Sequence, residues 1–272
     1  MYRLLAVVGC LYSLVYAQER VFRFADPNAK GPRIGVISVA IGEPYIEKVK
    51  FCTQTKIDYC KKNKYDLILR EDFLDKCFSN VTSCKRHPAW HKISAVAKYI
   101  NDYDWIFFID ADTIIMNYDV RLEKFLIPGY DFFGSSHREN RTPNARPAQY
   151  RWINTGVWFI RNCPAAKKYL LKVWEDGDNT KYCQEPDWEQ PLMQEVLHQI
   201  KSKEIDLPLR WTAYPANAFN TNPKYYKPGD FLVHFFGHHG EKEARAFTVW
   251  EIVQRHVVKN KYDNPWQGDV PE

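Results

Sequence analysis

Beyond its first residues the chain has no apolar segment near the roughly 20 residues that a membrane-spanning helix needs. No such helix is therefore expected downstream of the N-terminus. It has no C-x-x-C, so its cysteines do not read as a zinc site. It has no internal repeat and no low-complexity tract. It also lacks a basic stripe: the net charge is +5, but the lysines and arginines are scattered, which argues against a nucleic-acid partner. A mild positive balance suits an anionic small molecule.

What is present fits one large α/β domain in 272 residues. Arg3 precedes an apolar run from Leu4 to Tyr16, and Val15-Tyr16-Ala17 offers small residues for cleavage. Residues 1–17 therefore read as a signal peptide or a short signal-anchor, followed by a polar lead-in over 18–32. A secretory lumen follows as the expected location, Golgi or ER, with export as the alternative. A membrane becomes a partner only if that segment is retained. Without Cys10, six cysteines remain: Cys52, Cys60, Cys77, Cys84, Cys163 and Cys183. An even number in a secretory chain argues for disulfides, with Cys77 and Cys84 the favoured pair. Cys52 and Cys60 lie two turns apart on one expected helix, too far to bridge readily. Asn80-Val81-Thr82 and Asn140-Arg141-Thr142 are N-glycosylation acceptors.

Buried strands are expected over 33–41, 66–70, 105–110 and 131–134. Helices are expected over 44–64, from His87 to about Tyr103, and over 120–126, 165–175, 187–200 and 243–260. The stripe assigned to helix 44–64 is Tyr45, Val49, Cys52, Ile57 and Cys60. Trp152–Arg161 reads as a strand interrupted by Asn154-Thr155-Gly156, where a glycine suggests close backbone approach. The polar loop 136–150 is a candidate for shaping an acceptor site. Alternating strands and helices point to an α/β fold with a mostly parallel sheet.

The chemistry concentrates at one strand end. Trp105 to Ile109 runs straight into Asp110-Ala111-Asp112. Alternate residues share a face of a strand, and open α/β sheets bind ligands beyond the carboxyl ends of their strands. Paired carboxylates there suit a hard divalent cation that also grips a diphosphate. Two further D-x-D pairs, Asp102/Asp104 and Asp176/Asp178, do not end an apolar strand and read as solvated loop charges.

Several separate stretches resemble glycosyltransferase family 34. They are Lys56-Ile57-Asp58-Tyr59-Cys60, Ala89-Trp90-His91-Lys92, Trp105 through Asp112, Asn154-Thr155-Gly156, Ile160-Arg161-Asn162-Cys163, Glu189-Gln190 and Val233-His234-Phe235-Phe236-Gly237. The resemblance covers about residues 33–240. It implies a single-domain, Rossmann-like glycosyltransferase A-type fold, with a catalytic domain over 33–260 and a tail over 261–272. It implies a metal-dependent, retaining enzyme that moves a hexose or pentose from a nucleoside diphosphate sugar, UDP-linked by preference, to a glycan hydroxyl. Asp110, Asp112 and His234 would hold Mn²⁺ or Mg²⁺. Lys92, Asp110, Ala111, Gly42 and Gly237 would face the nucleotide-sugar. Glu189, Gln190 and Asn154 would stand at the reacting sugar or acceptor. This chain has Glu189 where the family usually has aspartate, with Asp187 as a rival two residues earlier. His238-His239 follows Gly237 where a cysteine and a basic residue are usual, and these histidines rival His234. Two other readings are a glycan-binding module without turnover and a glycoside hydrolase. The hydrolase would need a second acid across the bond.

Overall fold

A computed structural model describes residues 19–71, 86–136, 153–178, 182, 188–215 and 218–235. The elements in chain order are β1 (Glu19–Phe22), β2 (Ile34–Val39), α1 (Glu43–Lys48), α2 (Lys50–Asn63), β3 (Asp66–Arg70), α3 (His91–Tyr99), β4 (Trp105–Ile109), β5 (Thr113–Ile115), β6 (Phe132–Ser136), β7 (Ile153–Arg161), α4 (Pro164–Asp176), α5 (Gln190–Ser202), β8 (Trp211–Tyr214) and β9 (Leu232–His234). Single 3₁₀ turns at Pro88–Trp90, Ile100–Asp102, Leu122–Phe125 and Pro223–Tyr225 join them.

Seven strands form one sheet in the order β1-β3-β2-β4-β7-β6-β8. β2, β3, β4, β6 and β8 point the same way, while β1 and β7 run against their neighbours. The sheet is thus mixed but mostly parallel. From β2 the chain crosses through α1 and α2 to β3 on one side, then through α3 to β4 on the other. The order therefore reverses at β2, and the crevice beyond the ends of β2 and β4 is the place for a ligand.

Strict alternation divides the core between two faces. Ile106 and Phe108 of β4 join Ile37, Trp158 and the apolar sides of α3, α4 and α5. Trp105, Phe107 and Ile109 join Val36, Leu67, Phe159 and Tyr59 of α2. Both faces of β4 are covered, which explains an unbroken apolar run where a half-exposed strand would alternate.

Several expected elements differ in the structure. The helix expected over 44–64 is two, breaking at Val49, and its buried face is Thr55, Lys56, Tyr59, Cys60 and Asn63. That face is largely polar because it bonds backbone: Thr55 Oγ1 accepts from Ile115 N–H, Tyr59 Oη donates to Val120 O, and Asn63 Nδ2 donates to Tyr118 O. The expected stripe shares Cys60 with this face, while its Ile57 and Cys52 are only partly buried. β7 is one strand, but its ladder with β6 jumps from Trp158 to Asn154 between Gly134 and Ser135, so the expected interruption is a register shift that passes over Thr155, Gly156 and Val157. The lead-in contains an edge strand, β1, and β8 lies where no strand was expected. Nor are the other two D-x-D pairs merely solvated. Asp104 Oδ2 accepts from Arg33 N–H at 2.8 Å, and Asp178 pairs with the buried Arg86. Cys52, Cys60 and Cys163 are free thiols. The signal segment, Cys77, Cys84, Cys183, both glycosylation acceptors, the loop 136–150 and the helix 243–260 lie outside the described residues, but for Ser136. Among the described residues no helix is long and apolar enough to cross a membrane.

One polar anchor ties the sheet edge to the core. Asp66 accepts from Phe24 N–H and Ala25 N–H at 2.9 Å and from Tyr103 Oη at 3.0 Å. Tyr103 lies flat on Gly35, where a Cβ would come within 2.6 Å of its ring. Desolvation raises the Asp66 carboxyl, but these donors and Arg23 outweigh it and hold the carboxyl below its usual range. That contribution is present above the unfolded value and disappears as pH falls through the folded one. Asp66→Ala is expected to cost about 1–3 kcal/mol at pH 7, a deficit that narrows as the pH is lowered from 4 to 2. Urea titrations across that range check it; a deficit constant with pH would assign it to packing instead.

Candidate metal and sugar-transfer site

Asp110 follows β4 directly, and its N–H donates to Gly156 O at 2.7 Å, extending the β4–β7 pairing by one bond. Thr113 Oγ1 then donates to Asp110 O at 2.7 Å, closing a tight turn that carries both aspartates. β5 pairs antiparallel with β9, and this two-stranded ribbon sets Thr113 opposite His234. Phe235 N–H reaches Asp112 O at 3.2 Å. Asp110, Asp112 and His234 thereby each offer a ligand atom within 4.8 Å of the others.

The histidine is oriented by a chain of amides. Gly156 N–H donates to Asn154 Oδ1 at 2.9 Å, and a backbone N–H can only donate. Asn220 Nδ2 donates to that same Oδ1 at 2.9 Å, which turns Asn220 Oδ1 toward His234 Nδ1 at 3.0 Å. Nδ1 therefore carries the proton. Nε2 points at Asp112 Oδ1, 3.2 Å away, and at Asp110 Oδ2, 3.6 Å away. That leaves the Nε2 lone pair and the two carboxylates facing a common point, an arrangement that a cation would satisfy. Two carboxylate oxygens and one imidazole nitrogen, the latter backed by a hydrogen-bonded Nδ1–H, fit a borderline divalent ion. Burial opposes ionisation of Asp112, yet His234 and then Lys56 draw its carboxyl down to about 2. Gly156 gives the cluster its room: a Cβ there would stand 2.5 Å from Asp110 Oδ2 and 2.9 Å from His234 Nε2.

Beside this cluster lies a buried ion pair network. Lys92, near the start of α3, is 4% exposed. Its Nζ stands 3.0 Å from Asp110 Oδ1 and 2.7 Å from Glu189 Oε1, and donates to Thr155 O at 3.3 Å. Desolvation works against the ammonium, but the two carboxylates prevail and raise it. Glu189 precedes α5 without capping it, and is 1% exposed. Trp188 before it has φ +56°, a strained value for a tryptophan, and stacks on His87 at 4.3 Å. Glu189 Oε1 also accepts from Thr155 Oγ1 at 2.8 Å, whereas Oε2 has no partner among the described residues. Burial raises the Glu189 carboxyl and Asp110 adds to this, against the pull of Lys92.

The structure thus brings together Asp110, Asp112, His234, Lys92 and Glu189. Gln190 and Asn154 stand one step back: Gln190 Oε1 accepts from Thr155 N–H at 3.0 Å, and Asn154 holds Gly156 and Asn220. Ala111 is buried, with its carbonyl bonded to Lys56 Nζ at 2.9 Å. Gly42 is exposed at the start of α1 with φ +95°. Gly237, His238, His239 and Asp187 lie outside the described residues.

Three further residues had been given no role at a site from the sequence. Asn220 sits among short polar residues and carries no local signal. Tyr45 of α1 is 38% exposed; desolvation of its phenol, then the charges of Asp112 and Asp110, raise it. Lys56 is the third. Its spacing of four from both Cys52 and Cys60 was the available sign that it shares their buried face.

Comparison with known proteins agrees with this architecture. The model of the galactosyl transferase GMA12/MNN10 family matches residues 35–141. The chain is 23% identical to a protein named probable alpha-1,2-galactosyltransferase gmh2 of Schizosaccharomyces pombe, over 79% of this chain and 62% of that protein. It is 24% identical to the uncharacterized alpha-1,2-galactosyltransferase C1289.13c of the same yeast, over 71% and 56%. It therefore spans about six-tenths of the length of these relatives. Among solved structures, a glycosyltransferase involved in glycosylation of the major capsid of PBCV-1 superposes with a TM-score of 0.57 at 16% identity, covering 82% of this chain and all of that one. The galactosyltransferase LgtC, solved with donor and acceptor sugar analogs, superposes at 0.52 and 12% identity, covering 87% of this chain and all of that one. These likenesses show the fold, which is the glycosyltransferase A-type. Over residues 35–141 the chain is thus similar to the galactosyl transferase GMA12/MNN10 family.

Proposed function

We propose that this protein is a metal-dependent, retaining glycosyltransferase. It would move a hexose or pentose from a UDP-linked donor to a glycan hydroxyl, forming an α-linkage in the lumen of the secretory pathway. The observation that carries the proposal is the convergence of His234 Nε2 on Asp110 and Asp112, with Nδ1 already committed to Asn220. Asp110, Asp112 and His234 would hold Mn²⁺ or Mg²⁺, whose chemistry there is to neutralise charge on a departing diphosphate. Lys92 bridges Asp110 to Glu189. It ties the carboxylate that faces the metal to the one offered to the sugar. Glu189 Oε2, buried and unpartnered among the described residues, suits stabilisation of positive charge at an anomeric carbon. Thr155 and Gln190 fix that carboxylate and the β7 backbone beside it. The names of the two yeast relatives put UDP-galactose first among donors to assay. The catalytic domain is proposed to run over 33–260.

A thermal-shift screen with UDP, GDP and CMP, each with and without Mn²⁺, tests this. UDP with Mn²⁺ at about 100 times Kd should raise Tm by about 5–10 °C, and Asp110→Asn should remove the shift. No shift with any nucleotide in a folded sample would move the assignment to a glycan-binding module.

A further inference from the structure

Lys56 is fully buried in the middle of α2, and burial lowers its ammonium to about 8. A lysine so placed normally has a carboxylate partner. Among the described residues none lies within ion-pair distance of it. Its three donors go instead to backbone carbonyls: Cys52 O at 3.3 Å in its own helix, and Ala111 O and Thr113 O at 2.9 Å each. Those last two carbonyls flank Asp112. The ammonium thus grips the aspartate turn from behind, on either side of one carboxylate, while Thr113 Oγ1 closes the turn onto Asp110 O. Neighbouring Thr55 fixes β5 through Ile115 N–H, so α2 locks the turn and the ribbon that brings His234.

We propose that Lys56 is a positioning residue for the cation site, setting the separation of Asp110 and Asp112 by clamping the carbonyls around Asp112. This rests on the reading of Asp110, Asp112 and His234 as metal ligands. The role makes a prediction of unusual sign. A lysine acting through its charge alone repels a cation, so its removal should tighten metal binding. A lysine acting through geometry loosens binding when it is removed.

The experiment is a Mn²⁺ titration of the full chain followed by electron paramagnetic resonance, on wild type, Asp112→Asn, Lys56→Met and Lys56→Gln. Circular dichroism and a cooperative melt establish that each variant folds. Wild type should bind Mn²⁺ saturably and Asp112→Asn should not. Lys56→Met should bind about 10-fold or more weakly, within the range typical of residues that orient ligands. The spectrum of its bound ion should also be altered, a signature that mere loss of stability would not produce. Lys56→Gln, which keeps an N–H donor on a shorter stem, should weaken binding less than Lys56→Met does, and it decides the matter if Lys56→Met does not fold. Unchanged or tighter binding in a folded Lys56 variant overturns the proposal. Undiminished binding in Asp112→Asn overturns the metal assignment itself, and the role of Lys56 with it.

Discussion

Gly156→Ala is expected to abolish the Mn²⁺-dependent nucleotide shift and to reduce transfer by about 100-fold or more. The added methyl would stand 2.5 Å from Asp110 Oδ2, 2.9 Å from His234 Nε2 and closer still to His234 Cε1. Neither ligand can withdraw cheaply. His234 is buried, its ring held by Asn220 at Nδ1 and its backbone N–H donating to Thr221 O. Asp110 is tied to Lys92. The strand itself is pinned on both sides of the methyl, by Asn154 Oδ1 at the Gly156 N–H and by Asp110 N–H at the Gly156 carbonyl. Something must move, and each available movement separates metal-facing atoms. The unliganded fold should lose only the about 1–3 kcal/mol of an overpacked site. Thermal shifts with and without UDP and Mn²⁺ read both effects on one sample. A normal ligand shift in this variant would mean that the cation does not sit among these three residues.

The second large effect is expected at Lys92. Lys92→Met leaves Glu189 buried with its charge uncompensated, which should cost about 3–5 kcal/mol. Adding Glu189→Gln removes the stranded charge, so the double variant should recover more than half of that loss while remaining inactive. The deficit of Lys92→Met should also depend on pH. A carboxyl raised by burial binds its proton more tightly folded than unfolded, so stability falls as pH rises through its range. The single variant should therefore come closest to wild type in acid. Urea denaturation at pH 4 and pH 7 of wild type, single and double variants tests the coupling. If the double variant is no more stable than the single, the ion pair is not what holds these two side chains.

The parts of this site visible in the sequence share one property: each breaks a local pattern. Asp110 and Asp112 interrupt an apolar strand, Asn154-Thr155-Gly156 places polarity inside another, and His234 ends an apolar triplet. The central strands were legible for the same reason, since residues buried on both faces leave continuous runs. β1, with Glu19 and Arg20 paired across the sheet edge to Arg70 and Glu71, shows no such run. Neither does β8, whose four residues are all partly exposed. Lys56, quoted only within a matching stretch, Tyr45, assigned only to a helix stripe, and Asn220 had no visible place in the site, because tertiary contacts alone put them there. In isolation a lysine within a helix reads as a solvated charge. The break at Val49 likewise carries no proline or glycine to announce it.

The ribbon of β5 and β9 has a consequence for how the protein comes into being. The aspartate turn is synthesised more than a hundred residues before the strand that carries His234. A chain growing from its N-terminus can complete the β4 strand and both carboxylates long before a third ligand exists. Capture of the cation proposed here is then a late event of biosynthesis, open only to a polypeptide in which β5 and β9 have paired. A product truncated between the two strands would keep its D-x-D yet lack His234.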